Sequence, residues 1–235
     1  MSSSPPEEPY KVVLLSHKDS DILTLSTAKQ NLPLDYPPIQ TIDLCSLKVD
    51  DDMLNAVNEK IVGPSTATNN DTEVLIIVRL LGRGVPGFQH LLDHAHKHNH
   101  YLIVVSGIPG SFEPDLTAMC NNVSVDTINE VMKYFHADGC ANNMNNMLRY
   151  LADHLFKFGY EYAPAVTMPD HGLYHPKFDG AENTMAYLQE CFEHSDKPTV
   201  ACSFPGTTVR ETYRLLGSRM ARLLHDNHNQ LNNRI

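Results

Sequence analysis

Long apolar runs are missing from this sequence. The longest are five residues, as in Val74–Val78, against the roughly 20 that a membrane-spanning helix needs. Positive charge is scarce: 18 Lys and Arg stand against 28 Asp and Glu, a formal charge of −10. A surface of that sign repels nucleic acid and anionic lipid on average, so neither is an expected partner. The five cysteines are odd in number and widely spaced, with no C-x-x-C pair, which disfavours both a disulfide framework and a zinc knuckle and points to reduced thiols. The start, MSSSPPEEPY, has neither the cationic residues nor the apolar stretch of a secretory signal, so a cytoplasmic location is expected. Tryptophan is absent. So are the G-x-S-x-G, H-E-x-x-H and phosphate-loop patterns, which leaves hydrolase, zincin and P-loop chemistry without support.

What is present is a globular composition, 42% hydrophobic over 235 residues, enough for a core in one or two domains. Residues 74–109 compress a buried strand, a glycine turn, a helix and a second strand into one βαβ unit. The runs 74–78 and 102–105 are apolar and β-branched without alternation, the pattern of parallel strands covered on both faces. Strands are also expected over 11–15 and 39–44, and helices over 21–30, with Asp21 as cap, and over 49–61. The resulting fold class is α/β: a doubly wound, mostly parallel sheet with flanking helices and a helical segment inserted around 115–160. Within that segment, 124–136 carries Val125, Ile128, Val131, Met132 and Phe135 at helical spacing behind a Ser124 cap, and 142–158 repeats the pattern up to Gly159. A helix over 182–192, a fifth strand over 199–203 and a last helix over 209–224 complete the expectation. Residues 1–9 read as a disordered tail. Arg210, Arg214, Arg219, Arg222 and Arg234 concentrate positive charge near the end, either as a solvated helix face or as a docking patch.

Ligands of open α/β sheets sit at the carboxyl ends of the strands, which directs attention to residues 79–87. Gly82 to Gly87 satisfies G-x-G-x-x-G between a strand and a helix. A dinucleotide site also wants an acidic residue at the end of the following strand, where this chain has Ser106-Gly107, and Pro86 removes a backbone donor. A histidine run follows. His90, His94 and His98 are spaced to share one helix face and could ligate Zn²⁺, Ni²⁺ or Co²⁺, although adventitious surface affinity is the reading the sequence favours, since no carboxylate or cysteine completes an enclosed set. A third constellation, Asp170 to Pro176, offers two imidazoles and the Tyr174 phenol on a rigid turn, suited to acid–base work or to a polar ligand rim.

Taken in order, Val78-Arg79-Leu80-Leu81-Gly82, Ile108-Pro109-Gly110, Ala137-Asp138-Gly139 with Asn143 and Leu151-Ala152-Asp153, and Gly172-Leu173-Tyr174-His175-Pro176 resemble the large subunit of cobaltochelatase, CobN type, a relative of the magnesium-chelatase large subunit. Asp19-Ser20-Asp21-Ile22-Leu23 looks like the family's first strand-to-helix turn. The resemblance covers residues 10–200 as an N-terminal head domain and fades after Lys197-Pro198-Thr199-Val200. It leaves 201–235 as a divergent helical tail and the chain as a shortened form of a much longer subunit.

The resemblance implies ATP-dependent insertion of Co²⁺ into a corrin precursor, hydrogenobyrinic acid a,c-diamide, in cobalamin biosynthesis. It also implies AAA+ partner subunits that carry the ATP, and no cofactor held firmly by this chain. No catalytic residue carries over, and activity of the chain alone is not expected. The nearest alternatives are a magnesium-chelatase-like porphyrin-binding subunit and a non-enzymatic histidine-rich module for divalent metals. The residues best placed to meet carboxylates on a macrocycle are Arg79 and Arg83, followed by Tyr174 and His175. For Arg79 the competing reading is a structural ion pair under the sheet.

Overall fold

The computed structural model describes residues 10–62, 72–82, 84–108, 114–136 and 141–166. Four strands, β1 (Tyr10–Ser16), β2 (Ile39–Asp43), β3 (Glu73–Leu80) and β4 (Tyr101–Ser106), form one sheet in the order β2-β1-β3-β4. Every pairing is parallel. Leu14 lies opposite Ile77 and Thr41, and Ile77 opposite Ile103. Because side chains alternate across a strand, Val12, Leu14, Leu75, Ile77, Ile103 and Val105 share one face and Val13, Leu15, Ile76, Val78, Leu102 and Val104 the other.

Helices cover both faces, which is why the strand sequences are apolar throughout. On the first face lie α1 (Asp19–Ala28), α5 (Val125–His136) and α6 (Ala141–Phe156), contributing Leu25, Ile128, Val131, Met147 and Leu151. On the second lie α2 (Asp50–Ala56) and α3 (Phe88–Lys97), contributing Met53, Leu91 and Ala95. A short α4 (Pro114–Met119) follows β4. The α/β, doubly wound architecture is as the sequence indicated, including the helical segment after residue 114.

Three local features differ from expectation. Helix α1 begins at Asp19 behind Lys18, so Asp21 is not its cap. The Asp21 carboxylate instead turns inward, where Ser16 and Arg79 bind it. The helix expected over 49–61 changes at Val57 into a wider π turn, Val57–Val62. Helix α6 stops at Phe156, because Lys157 takes a left-handed conformation (φ 61°) two residues before Gly159 does (φ 74°). The Ser124 cap is present: its Oγ accepts from the Thr127 amide at 3.1 Å.

Past α6 the chain folds back against α5 and α6 without a strand partner, and side chains supply its backbone hydrogen bonds. Asn143 donates to the Val166 carbonyl and accepts from the Val166 amide, both at 3.0 Å. Asn146 accepts from the Ala163 amide at 2.9 Å, and the Tyr134 hydroxyl donates to the Ala163 carbonyl at 2.7 Å. A buried Asn on a helix is costly unless its amide is bonded, and these amides act as a substitute ladder. The helices and strand expected after residue 180, the turn at 170–176 and the arginine cluster at 210–234 lie outside the described residues.

Candidate functional site

The strand order reverses between β1 and β3: from β1 the chain goes first to β2 on one side, then to β3 on the other. The carboxyl ends of these two strands therefore border the crevice where open α/β sheets receive ligands. In the β1–β3 register Ser16 stands opposite Arg79. Both residues are polar and buried, Ser16 as the last residue of β1 and Arg79 one before the end of β3.

A buried polar network fills the base of the crevice. Arg79 Nη1 donates to Asp21 Oδ1 at 2.8 Å, and Ser16 Oγ donates to Asp21 Oδ2 at 2.5 Å. Arg79 and Asp21 are each only 3% exposed. Arg79 Nη2 reaches the Phe135 carbonyl at 3.4 Å, and its guanidinium lies 4.6 Å from the centre of the Phe135 ring. The Arg79 Nε is buried and has no hydrogen-bond partner among the described residues. Burial pulls the Arg79 pKa down and the Asp21 charge and hydrogen bond oppose it, so the guanidinium stays charged. Of the two readings of Arg79, the structure places it as an ion pair beneath the crevice.

Above the pair, the loop from Ser16 to Lys18 is fixed by short bonds. The Lys18 amide donates to Ser16 Oγ at 3.0 Å, and the His17 amide donates to the Arg79 carbonyl at 3.3 Å. The imidazole of His17 accepts from the Leu81 amide at 3.2 Å, tying the first loop to the second. Lys18 is half-buried, and its pKa is lowered chiefly by that burial and then by the Arg79 charge. Asp21 offsets part of the Arg79 charge felt at Lys18.

The glycine turn serves packing. Gly87 begins α3 at φ 65°, and a Cβ there would lie 2.5 Å from the Asp50 carbonyl oxygen of α2. Gly82 also has a positive φ, 56°, but faces open space. Gly87 is thus required by the approach of two helices. Arg83 lies outside the described residues, as do Tyr174 and His175.

The histidine run folds differently from its spacing. Helix α3 ends at Lys97, His98 closes it, and Asn99 takes a left-handed φ of 55°. The Asn99 amide donates to the His96 carbonyl and the His100 amide to the Ala95 carbonyl at 2.9 Å, the hydrogen-bond pattern of a Schellman turn. This turn carries His100 back against the last helical turn. The His94 and His98 rings are 4.5 Å apart, His94 and His100 5.5 Å, and His98 and His100 5.8 Å. His90 is exposed and belongs to no such contact among the described residues. The structure therefore joins His94 and His98 with His100, because the helix stops before His98 can continue its face. Desolvation, helped by the neighbouring imidazoles and Lys11, pushes the His100 pKa down to about 4. His94 is lowered by desolvation, then by His98 and Lys97.

Comparison with known proteins adds a resemblance. Residues 132–230 match the family model described as CobN/Magnesium Chelatase. The match starts in α5 and continues past Val200, where the sequence resemblance fades. Among solved structures, the chain is similar to one titled "Catalytic Subunit of Cobaltochelatase from Mycobacterium tuberculosis", at 20% identity and a TM-score of 0.49, covering 71% of this chain and 12% of that one. The chain thus spans about an eighth of that protein's length. No curated protein sequence matches it. Over residues 132–230, the chain is similar to the CobN/magnesium chelatase family.

Proposed function

We propose that this chain is part of a CobN-type chelatase large subunit and that it takes part in holding a tetrapyrrole while a divalent metal is inserted. The substrates on this reading are hydrogenobyrinic acid a,c-diamide and Co²⁺, in cytoplasmic cobalamin synthesis. ATP is hydrolysed by separate AAA+ partner subunits. The observation that supports the reading is the family match over residues 132–230. Metal insertion asks the protein to orient a macrocycle that bears carboxylates, to remove pyrrole protons and to strip water from the ion. Of these tasks, orientation is the one for which this chain offers groups.

The crevice at the ends of β1 and β3 supports that assignment. Lys18, on a loop whose backbone is held through Ser16, Asp21 and Arg79, supplies a cation able to meet a carboxylate by a charge-assisted hydrogen bond. Arg79 acts as a positioning residue through Asp21 and Ser16. Arg83, Tyr174 and His175 are proposed as further ligand contacts. A magnesium-chelatase-like role with a porphyrin is the second reading, because the matched family spans both chelatases.

The test is a fluorescence titration of the purified chain, without metal, against hydrogenobyrinic acid a,c-diamide and, in parallel, a porphyrin. Saturable corrinoid binding with a Kd near ~1 μM, weakened about 10-fold by Lys18→Met or Arg83→Met, is the expected result. Preference for the porphyrin favours the second reading. Absence of binding to either overturns the assignment of substrate contacts to this chain.

A further inference from the structure

The β1–β3 ladder breaks its own pattern at the mouth of the crevice. The His17 amide donates to the Arg79 carbonyl at 3.3 Å. In a parallel ladder a residue's amide and carbonyl bond partners two apart on the neighbouring strand, so the next acceptor for the Leu81 amide is the His17 carbonyl. It is not used. The Leu81 amide donates to the His17 ring at Nδ1, 3.2 Å away. The His17 carbonyl accepts instead from the Cys45 thiol at 3.4 Å, on the turn Leu44–Ser46 that follows β2.

We infer that the His17 imidazole stands in for its own carbonyl in the ladder, and that His17 is thereby the positioning residue that sets Lys18 at the crevice. The consequence for a ligand rests on the function proposed above, in which Lys18 meets a carboxylate of the tetrapyrrole.

The first support is the course of the chain. Directly after His17 it turns out of the sheet: the Lys18 amide donates to Ser16 Oγ at 3.0 Å, and the Asp21 amide donates to the Lys18 carbonyl at 3.0 Å. Lys18 is the residue that precedes α1. A backbone leaving in that direction cannot also extend the ladder, and a side-chain acceptor keeps β1 and β3 joined while it leaves. The second support is the state of the ring. Nδ1 can accept only with its lone pair free, so the imidazole is neutral and its proton sits on Nε2.

The third support is the continuity of the rim. Leu81 is held from its other side by the turn after β4. The Gly107 amide donates to the Leu80 carbonyl at 2.5 Å, and a Cβ on Gly107 would lie 2.6 Å from Leu81 Cδ2. Cys45, His17, Leu81 and Gly107 thus link the ends of β2, β1, β3 and β4 in the order of the sheet. His17 makes two of those three links, one with its carbonyl and one with its ring. Moving its ring moves the segment that carries Lys18.

The experiment compares His17→Asn and His17→Gln with the wild-type full chain. Both variants carry a neutral amide, but only Asn places an acceptor oxygen as many bonds from Cα as Nδ1. Two quantities are read: the Kd for hydrogenobyrinic acid a,c-diamide by fluorescence, and hydrogen exchange of the Leu81 amide in the free chain by nuclear magnetic resonance. His17→Asn should keep both within about 3-fold of wild type, and His17→Gln should raise both by about 10-fold. Equal behaviour of the two variants overturns the inference. Equal retention makes the acceptor dispensable, and equal loss assigns the imidazole a direct ligand contact. If the wild-type chain binds no tetrapyrrole, the proposed function falls and exchange alone decides. Protection of Leu81 in the Asn variant and its loss in the Gln variant then uphold the positioning role, and any other pattern overturns it.

Discussion

Arg79 and Asp21 form the ion pair under the crevice, and at that depth the cost of breaking it exceeds the benefit of making it. Taking two charges out of water is expensive, and their attraction with the Ser16 bond roughly repays it. Removing one partner leaves the other uncompensated. Arg79→Met should therefore lower unfolding stability by about 3–5 kcal/mol in urea denaturation, and adding Asp21→Leu should restore most of it. A loss confined to ~0.5 kcal/mol in Arg79→Met would show that water reaches the pair. Cysteine reactivity offers a second residue-scale test. Burial raises the Cys120 thiol pKa, and its Sγ lies against the Val104 amide at 3.2 Å, whereas Cys45 is exposed. Iodoacetamide at pH 8, followed residue by residue by mass spectrometry, should modify Cys45 at least ~10-fold faster. Equal rates would place Cys120 at the surface. Arg79 was legible in the sequence as a charged residue ending a buried strand. Its partner was not, because Asp21 lies 58 residues away and periodicity says nothing about which loops meet.

At the scale of elements, the strands were legible because continuous apolar β-branched runs have few alternatives, and α5 and α6 because their apolar spacing repeats over three or more turns. Helix ends were less so. Nothing local announces that α3 stops at Lys97 with Asn99 left-handed, and that single turn replaces His90 by His100 in the histidine cluster. The G-x-G-x-x-G pattern was legible as a turn but not as a packing requirement, since the neighbour that demands Gly87 is Asp50 on another helix. Gly87→Ala should cost about 2–3 kcal/mol, combining positive φ with the clash. Gly82→Ala, with positive φ and open space, should cost about 1 kcal/mol. Equal losses at the two sites would show that α2 and α3 separate easily. The Asn143 clamp makes a comparable prediction: Asn143→Leu removes both bonds to Val166, and hydrogen exchange of the Ala163 and Val166 amides should quicken by about 10-fold. Unchanged exchange would mean that the segment holds without the clamp.

For the molecule as a whole, the sheet is the shared wall of two cores. One holds Leu14, Ile77 and Ile103 with α1, α5 and α6; the other holds Leu15, Ile76 and Val104 with α2 and α3. Among the described residues neither layer of helices has another surface on which to bury its apolar side, so losing either exposes one face of every strand. Stability should then be a property of the sheet and both layers together. Ile76 and Ile77 test this, since they are consecutive, fully buried and directed into opposite cores. Truncating either to Ala removes the same atoms and leaves a cavity, at about 2–5 kcal/mol. If the cores depend on one another, both variants shift one common transition, seen alike by far-ultraviolet circular dichroism and by tyrosine fluorescence. Tyr134 and Tyr150 belong to the first core, so fluorescence reports chiefly on that side. Should Ile76→Ala instead lower the circular dichroism transition while leaving the fluorescence transition in place, the two layers would unfold separately and the sheet would not couple them. Leu34 serves as the control for nonspecific effects, because its side chain is fully exposed and Leu34→Ala should move neither signal by more than ~0.5 kcal/mol.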